Sequence, residues 1–231
     1  MTRTPDPALP TLVFDLDGTL ADTAADLIGT LNVLMRREGV PEVPLARAKD
    51  VVGAGARAMI ERGMALGGRS LSSEELGDLF RDFLDHYADN LAVNTTLFEG
   101  AHDAIMRFSD AGYRLAVCTN KMEQHSVMLL EALGVAPRFQ AICGRDSFAY
   151  AKPDPRHLTL TIEKAGGDPA HAIMVGDSRT DIDTARAAGL PVIAVDFGYT
   201  DVPVHELGPD LVIGHFDDLW NAVATVRESR D

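Results

Sequence analysis

A doubly wound parallel α/β sheet, interrupted by a helical insert after its first strand, is the fold this sequence predicts. Three observations carry that reading. From Phe98 onward, short apolar runs of buried-strand type alternate with helical stretches of about a dozen residues, the rhythm of a parallel sheet with helices on both faces. Between residues 22 and 92 the patterns are helical throughout, with no strand candidate of comparable quality. Ahead of that stretch, Leu12-Val13-Phe14 has the length and composition of a buried strand end. The expected division is therefore a core of residues 1–21 and 93–231, with residues 22–92 as a helical cap domain.

In chain order, Asp22 or Thr23 is placed to cap a helix with the apolar stripe Leu27, Ile28, Leu31, Leu34 and Met35, and Gly39 stops it. Pro41 and Pro44 break the chain before a second helical stretch, and Gly53-Ala54-Gly55 reads as a loop between helices. A helix over 56–66 ends at Gly67-Gly68. Ser72-Ser73-Glu74-Glu75 has the form of a capping box. Behind it, Leu76, Leu79, Phe80, Phe83, Leu84 and Tyr87 make the most regular stripe in the chain. The second half gives helices over 100–111, 121–133, 155–165 and 179–188. Strands are expected over 115–118, 172–175, 192–195 and 211–213, with a short apolar segment at 139–143. A last helix starts near Asp217 and carries Leu219, Trp220, Val223 and Val226.

Composition narrows the function. A chain of 231 residues has room for one α/β domain plus a smaller insert. Its 46% hydrophobic and 24% charged residues are those of a soluble globular protein. A net charge of −14 argues against nucleic acid or an anionic membrane as partner, and obliges any site for a phosphorylated molecule to concentrate positive charge locally. The stretch 1–10 holds Pro5, Pro7 and Pro10 and no apolar run, so neither a signal peptide nor a membrane anchor is expected there. No run approaches the ~20 apolar residues that span a bilayer. Cys118 and Cys143 sit in apolar, strand-like runs and read as buried free thiols, which fits a reducing, cytoplasmic setting. The seven histidines show no His-x-x-x-His pairing and read as structural or surface groups.

Chemistry concentrates where the apolar runs end. In Phe14-Asp15-Leu16-Asp17-Gly18-Thr19-Leu20, two carboxylates one residue apart are expected on the same side of the pleat, at the strand's mouth. That arrangement is costly unless a cation or substrate compensates the charge. The next strand runs into Thr119 and Asn120, and a later one into Gly176-Asp177-Ser178-Arg179-Thr180-Asp181. Lys152 lies between them in Ala151-Lys152-Pro153. Open sheets bind ligands at the carboxyl ends of their strands, so these groups converge. Carboxylates suit Mg²⁺ shared with phosphate oxygens and water, and Thr119 with the amides around Asn120, at a helix N-terminus, suits phosphate itself.

In this order, Asp15-Leu16-Asp17-Gly18-Thr19, Thr119-Asn120, Lys152-Pro153 and Gly176-Asp177-Ser178-Arg179-Thr180-Asp181 resemble the haloacid dehalogenase-like hydrolase superfamily. Within it the chain looks like the phosphoglycolate phosphatase-type branch, whose Rossmann-like core carries a helical cap after the first motif. The resemblance implies an Mg²⁺-dependent hydrolase of a small phosphate monoester, with 2-phosphoglycolate the first expectation. It implies Asp15 as the nucleophile that forms an aspartyl-phosphate, and Asp17 as the acid and base that protonates the leaving alkoxide and activates water. It places Mg²⁺ on Asp15, the backbone carbonyl of Asp17 and Asp177, with Asp181 holding metal-bound water or orienting Lys152. Thr119, the Asn120 amide and Lys152 would surround the phosphoryl group, and Mg²⁺ with Lys152 would offset the repulsion between two anions.

The insert would lie over the mouth and exclude water. The loop 53–57 is its most unusual stretch, and Arg57 is the candidate there for a substrate anion such as a carboxylate. A sugar-phosphate phosphomutase shares the core motifs and stays open, as do sugar phosphates, nucleotide monophosphates and pyrophosphate as substrates. A dehalogenase has no use for Asp17. A phosphonate hydrolase wants a cap lysine in apolar surroundings, and Lys49 lacks them. A non-catalytic binding protein would not need the full set of acids, lysine and threonine. The partner expected is a small phosphorylated metabolite; oligomeric state is not legible.

Overall fold

The computed structural model describes residues 6, 9–53, 55–200 and 202–229. Ala54 of the expected interhelical loop, and most of the proline-bearing start, lie outside the described residues.

The chain opens with β1 (Thr11–Phe14), whose four residues are all buried. A two-residue strand β2 (Ala21–Asp22) leads into α1 (Ala24–Arg37), a 3₁₀ turn (Leu45–Arg47), the short α2 (Ala48–Val51), α3 (Ala56–Leu66) and α4 (Ser73–Asn90). The return strand β3 (Thr96–Leu97) pairs antiparallel with β2. Then follow α5 (Ala101–Ala111), β4 (Arg114–Cys118), α6 (Glu123–Ala132), β5 (Ala141–Cys143), α7 (Pro155–Lys164) and β6 (Ala172–Gly176). The chain closes with α8 (Arg179–Ala187), β7 (Val192–Val195), β8 (Leu211–Ile213) and α9 (Leu219–Glu228).

Six parallel strands form one sheet in the order β5-β4-β1-β6-β7-β8. The order reverses at β1, so the crevice at a switch point falls where β4 and β6 flank the end of β1. Side chains alternate between the two faces as a pleat requires. Leu12, Phe14, Leu115, Val117, Ile173 and Val175 join one apolar cluster, with Ile105, Phe108, Leu129 and Val223 from α5, α6 and α9. Val13, Ala116, Cys118, Met174 and Val192 join the other, with Leu158 and Ile162 from α7 and Ile182 from α8. Both faces are dry, which is why these strands read as continuous apolar runs rather than alternating ones.

The helices between β2 and β3 share the first cluster, through Leu31, Leu34, Met59, Ile60, Phe83 and Tyr87. The capping box at Ser72 and Glu75 is formed. Leu76, Leu79, Phe83 and Tyr87 of the α4 stripe are buried. Asp26 on α1 ties the far end of these helices back to their beginning. Its carboxylate accepts from the Asn94 amide N–H at 2.9 Å, the Thr95 amide N–H at 2.9 Å and the Thr95 hydroxyl at 2.8 Å. Burial works to raise its pKa, but these donors hold it below the ordinary carboxylate range.

Three local expectations are corrected. The β2–β3 ribbon was not anticipated, because two-residue strands carry no periodicity. Neither Asp22 nor Thr23 caps α1 in the usual way: the Thr23 side chain makes no cap bond, and the Ala24 N–H donates to the Tyr199 hydroxyl at 2.9 Å, with Asp22 Oδ1 farther off at 3.4 Å. Finally, α6 begins at Glu123 rather than Lys121, because residues 119–122 are drawn into the loop at the end of β4.

Candidate active site

Phe14 is in register with both Val117 and Val175, so the chain leaves three adjacent strands at one level. Asp15 is the first residue beyond β1, and its N–H still bonds to the Val175 carbonyl at 2.9 Å. Its Oδ1 accepts from the Leu16 N–H at 2.7 Å and lies 3.0 Å from Lys152 Nζ. Among the described residues its Oδ2 accepts no hydrogen bond. Lys152 also donates to Asp181 Oδ1 at 2.6 Å, with its side chain only 1% exposed. The second oxygen of Asp181 accepts from the Ser178 N–H and hydroxyl at 3.1 and 2.7 Å, capping α8. Asp181 thus works in two directions, holding a helix start and fixing the lysine.

Asp177 accepts from the Thr19 hydroxyl at 2.9 Å and the Tyr199 N–H at 2.7 Å. Glycines make this possible. A methyl group at Gly198 would stand 2.2 Å from Asp177 Cβ, and one at Gly176 would stand 2.4 Å from Asp181 Cβ. Gly18, at φ +85°, turns the chain beside the Asp177 carboxylate. Tyr199 continues outward, its hydroxyl donating to Asp22 Oδ1 at 2.5 Å, so one residue touches both Asp177 and the start of the helical insert.

Asp15, Asp177 and Asp181 each offer a carboxylate oxygen within 4.8 Å of the other two. Three carboxylates face one lysine in a buried place. Burial pushes the pKa of Asp15 up against the pull of Lys152, and burial together with Asp181 and Asp15 pushes Asp177 up. Burial opposes the charge on Lys152, yet Asp15 and Asp181 beside it hold its pKa above the ordinary lysine value. Surplus negative charge on hard oxygen donors fits Mg²⁺. Asp181 accepts three hydrogen bonds over its two oxygens, whereas each oxygen of Asp177 accepts one and Asp15 Oδ2 accepts none among the described residues, so Asp15 and Asp177 keep more lone pairs for an ion.

Asp17 is placed differently from expectation. The ladder of β1 ends at Phe14, so Asp15 and Asp17 share a turn rather than one side of a pleat. Both line the same cleft, but the Asp17 carboxylate is held by Lys121, whose Nζ lies 2.9 and 3.1 Å from its two oxygens. Lys121 is buried and sits 4.4 Å above the ring of Tyr87 from α4. Burial disfavours its charge, but Asp17 beside it holds its pKa above the usual lysine value.

Thr119 and Asn120 lie in the loop before α6, not in its first turn. Thr119 is buried; its N–H bonds to the Cys143 carbonyl at 3.0 Å, and its hydroxyl accepts from the Lys121 N–H at 3.3 Å. Asn120 Nδ2 donates to the Lys152 carbonyl at 3.0 Å, joining two of the expected site loops. Its Oδ1 is buried and unpartnered among the described residues. The cleft above these groups is walled on the far side by Met59, Phe80, Phe83, Leu84 and Tyr87. Arg57 is not among its lining residues; it is exposed, with its guanidinium 4.8 Å from the Phe80 ring. Arg145, just beyond β5, does line it.

Sequence reasoning therefore missed Lys121, Arg145 and Tyr199. A usable signal existed for two of them. Cys118 and Cys143 are register partners, so the residues after β5 reach the same mouth as those after β4. Strand-end logic, applied to Gly144-Arg145 as it was to Thr119-Asn120, finds Arg145, and one residue more along the β4 loop finds Lys121.

An all-parallel switch-point sheet with a carboxylate–lysine cluster under a helical layer defines a hydrolase-type α/β protein. The comparisons make this specific. The profile of the haloacid dehalogenase-like hydrolases matches residues 12–195, and the chain belongs to that family. It is 55% identical over 210 residues to a phosphoglycolate phosphatase of Mesorhizobium japonicum, covering 91% of this chain and 92% of that one. It is 36% identical to an N-acetylmuramic acid 6-phosphate phosphatase of Pseudomonas aeruginosa, over 91% and 93% of the two chains. The crystal structure of a predicted phosphoglycolate phosphatase from Haemophilus somnus superposes with a TM-score of 0.85 at 28% identity, covering 93% and 97%. The chain falls in the phosphoglycolate phosphatase-type branch, among the phosphoric monoester hydrolases. Among the described residues, no helix is long and apolar enough to cross a membrane.

Proposed function

We propose that this protein hydrolyses 2-phosphoglycolate with the help of Mg²⁺, through a phosphoenzyme on Asp15. The observation that carries the reading is the arrangement at Asp15, which lines the cleft with one oxygen pinned by Lys152 and the Leu16 N–H while the other accepts no hydrogen bond among the described residues. A carboxylate so held has one oxygen oriented for attack on phosphorus.

Asp15 Oδ2 attacks the phosphorus and the ester bond to the leaving alkoxide breaks. Asp17, in the same cleft, gives that alkoxide a proton and later takes one from the water that hydrolyses the acyl phosphate. Thr119, the Asn120 amide and Lys152 bear on the phosphoryl oxygens, and Asp181 keeps Lys152 extended toward Asp15. Mg²⁺, held by Asp15, Asp177 and the Asp17 carbonyl, would supply charge neutralisation for the phosphoryl group. Residues 22–92 serve as the cap over a core of 1–21 and 93–231, and their apolar wall keeps bulk water from the acyl phosphate. The relatives named phosphoglycolate phosphatase, at up to 55% identity, support the substrate. The free thiols of Cys118 and Cys143, side by side in adjacent strands, support a cytoplasmic, reducing location.

A second substrate, a sugar phosphate, is favoured by the N-acetylmuramic acid 6-phosphate phosphatase relative and by the apolar wall of the cleft. Ranking kcat/KM over a panel of phosphate esters with Mg²⁺ separates the two, with 2-phosphoglycolate expected first. Asp15→Asn should reduce turnover to background, and acid quenching of the parent enzyme should trap phosphate on Asp15. Turnover that survives Asp15→Asn would overturn the mechanism.

A further inference from the structure

Four cationic or ionisable basic groups stand at or under the cleft: Lys121, His125, Arg145 and Lys152. Lys152 is committed to Asp15 and Asp181, and Lys121 to Asp17. His125 has its pKa lowered by burial and by Lys121. Arg145 differs, since among the described residues its guanidinium has no ion pair and no hydrogen bond. The acid next to it in sequence is not available, because Asp146 accepts from the Glu123 N–H at 2.8 Å.

The backbone of Arg145 is firmly placed. Its N–H bonds to the Lys121 carbonyl at 2.9 Å. The preceding Gly144 packs so closely on the 121–123 turn that a methyl group there would stand 2.1 Å from the Glu123 nitrogen. From this anchor the side chain reaches across the cleft, where its Nη1 lies 3.6 Å from the position a Cβ of Gly55 would take. Arg145 therefore spans from the core to the interhelical loop, at the rim of the same cavity that Asp15 and Asp17 line.

Strand spacing says which part of a substrate it meets. β5 lies two places from β1, so the Arg145 backbone is offset from that of Asp15 by roughly 10 Å across the sheet. A guanidinium reaching back from there meets the portion of the ligand beyond the phosphoryl group. A planar fork of donors with no protein acceptor, in a chain of net charge −14, is matched by a carboxylate brought in by the ligand. We propose that Arg145, rather than a cap residue, binds a carboxylate on the leaving group and so selects small phosphate monoesters that carry one. The inference rests on the phosphatase reading given above and assigns its specificity.

The test compares two esters of like size with Mg²⁺: 2-phosphoglycolate, and ethyl phosphate, which lacks the carboxylate. In the parent enzyme, kcat/KM should favour 2-phosphoglycolate. Arg145→Met should shrink that preference about tenfold to a hundredfold, the loss expected for one charge-assisted contact, and mainly through KM. Arg145→Lys should recover part of it. An equal loss on both esters, or no loss on either, overturns the anchor, because Arg145 would then serve the phosphoryl group, the fold or nothing. A raised KM for 2-phosphoglycolate in Arg57→Ala with none in Arg145→Met also overturns it, and returns the role to the cap. A parent enzyme that hydrolyses neither ester overturns the phosphatase reading and the anchor with it, whereas one that hydrolyses both without preference overturns the anchor alone.

Discussion

Lys121 Nζ lies 2.9 and 3.1 Å from the two oxygens of Asp17, and the same ammonium rests 4.4 Å above the ring of Tyr87. The core's second cleft carboxylate is thus held by a core lysine that is itself covered by an aromatic residue from the helical insert. The packing of the insert on the sheet and the orientation of Asp17 meet in one side chain.

Removing the ammonium strands Asp17, whose side chain is only 19% exposed, without its partner. Lys121→Met should cost about 3 kcal/mol in denaturant unfolding, the scale of a broken partly buried ion pair. Combined with Asp17→Asn, the double variant should lose less than the sum of the two singles, with a coupling of about 1–3 kcal/mol. Additive losses would mean that the contact contributes nothing.

Asp181 holds Lys152 from below, so Asp181→Asn keeps the shape and the cap on α8 but removes the charge that extends the lysine. Turnover should fall roughly tenfold to a hundredfold with KM little changed, as for other residues that orient a reacting group. Steady-state kinetics decide this; a KM effect alone would place Asp181 in ground-state binding instead.

Gly198→Ala puts a methyl group where Asp177 now is. The carboxylate must shift, so the Mg²⁺ concentration for half-maximal activity should rise about tenfold or more. Overpacking should also cost about 1–3 kcal/mol of stability. An Mg²⁺ titration of activity and a urea melt read the two effects separately.

His157 is fully buried, and its Nδ1 accepts from the Lys152 N–H at 3.2 Å. Burial, aided by the nearby Lys152, lowers its pKa to about 4. A histidine depressed in the folded state takes its proton more readily when unfolded. Its contribution to stability is complete above about pH 6.5 and is lost as pH falls toward 4, by about 2 kcal/mol between pH 7 and 5. Asp15 and Asp177, raised by burial, act in the opposite sense, so the parent's own slope does not isolate the effect. The stability difference between parent and His157→Gln should narrow by that amount from pH 7 to 5.

Much of the candidate site was legible in the sequence. Asp15, Thr119 and Asp177 follow the ends of apolar runs, with Asp181 a turn further on, and a parallel sheet carries such ends to one edge; Lys152 is legible from its turn between them. Side-chain partners were not legible. Nothing local tells Lys121 that it stands before a helix rather than in it, since that boundary depends on the Glu123 N–H being taken by Asp146 in the neighbouring loop. Arg57 had the composition of an anion binder, but its guanidinium lies over Phe80 on the outside, a choice made by packing between α3 and α4.

By itself the sequence determined the sheet, the place of the insert and the residues at the mouth, because apolar periodicity and strand-end position are local properties. Tertiary structure decided how the charges pair: Asp17 with Lys121, Lys152 between Asp15 and Asp181, and the Arg145 guanidinium with no ion pair among the described residues. Those pairings depend on which loops a switch-point sheet brings within about 3 Å of one another, a distance that no spacing along the chain encodes.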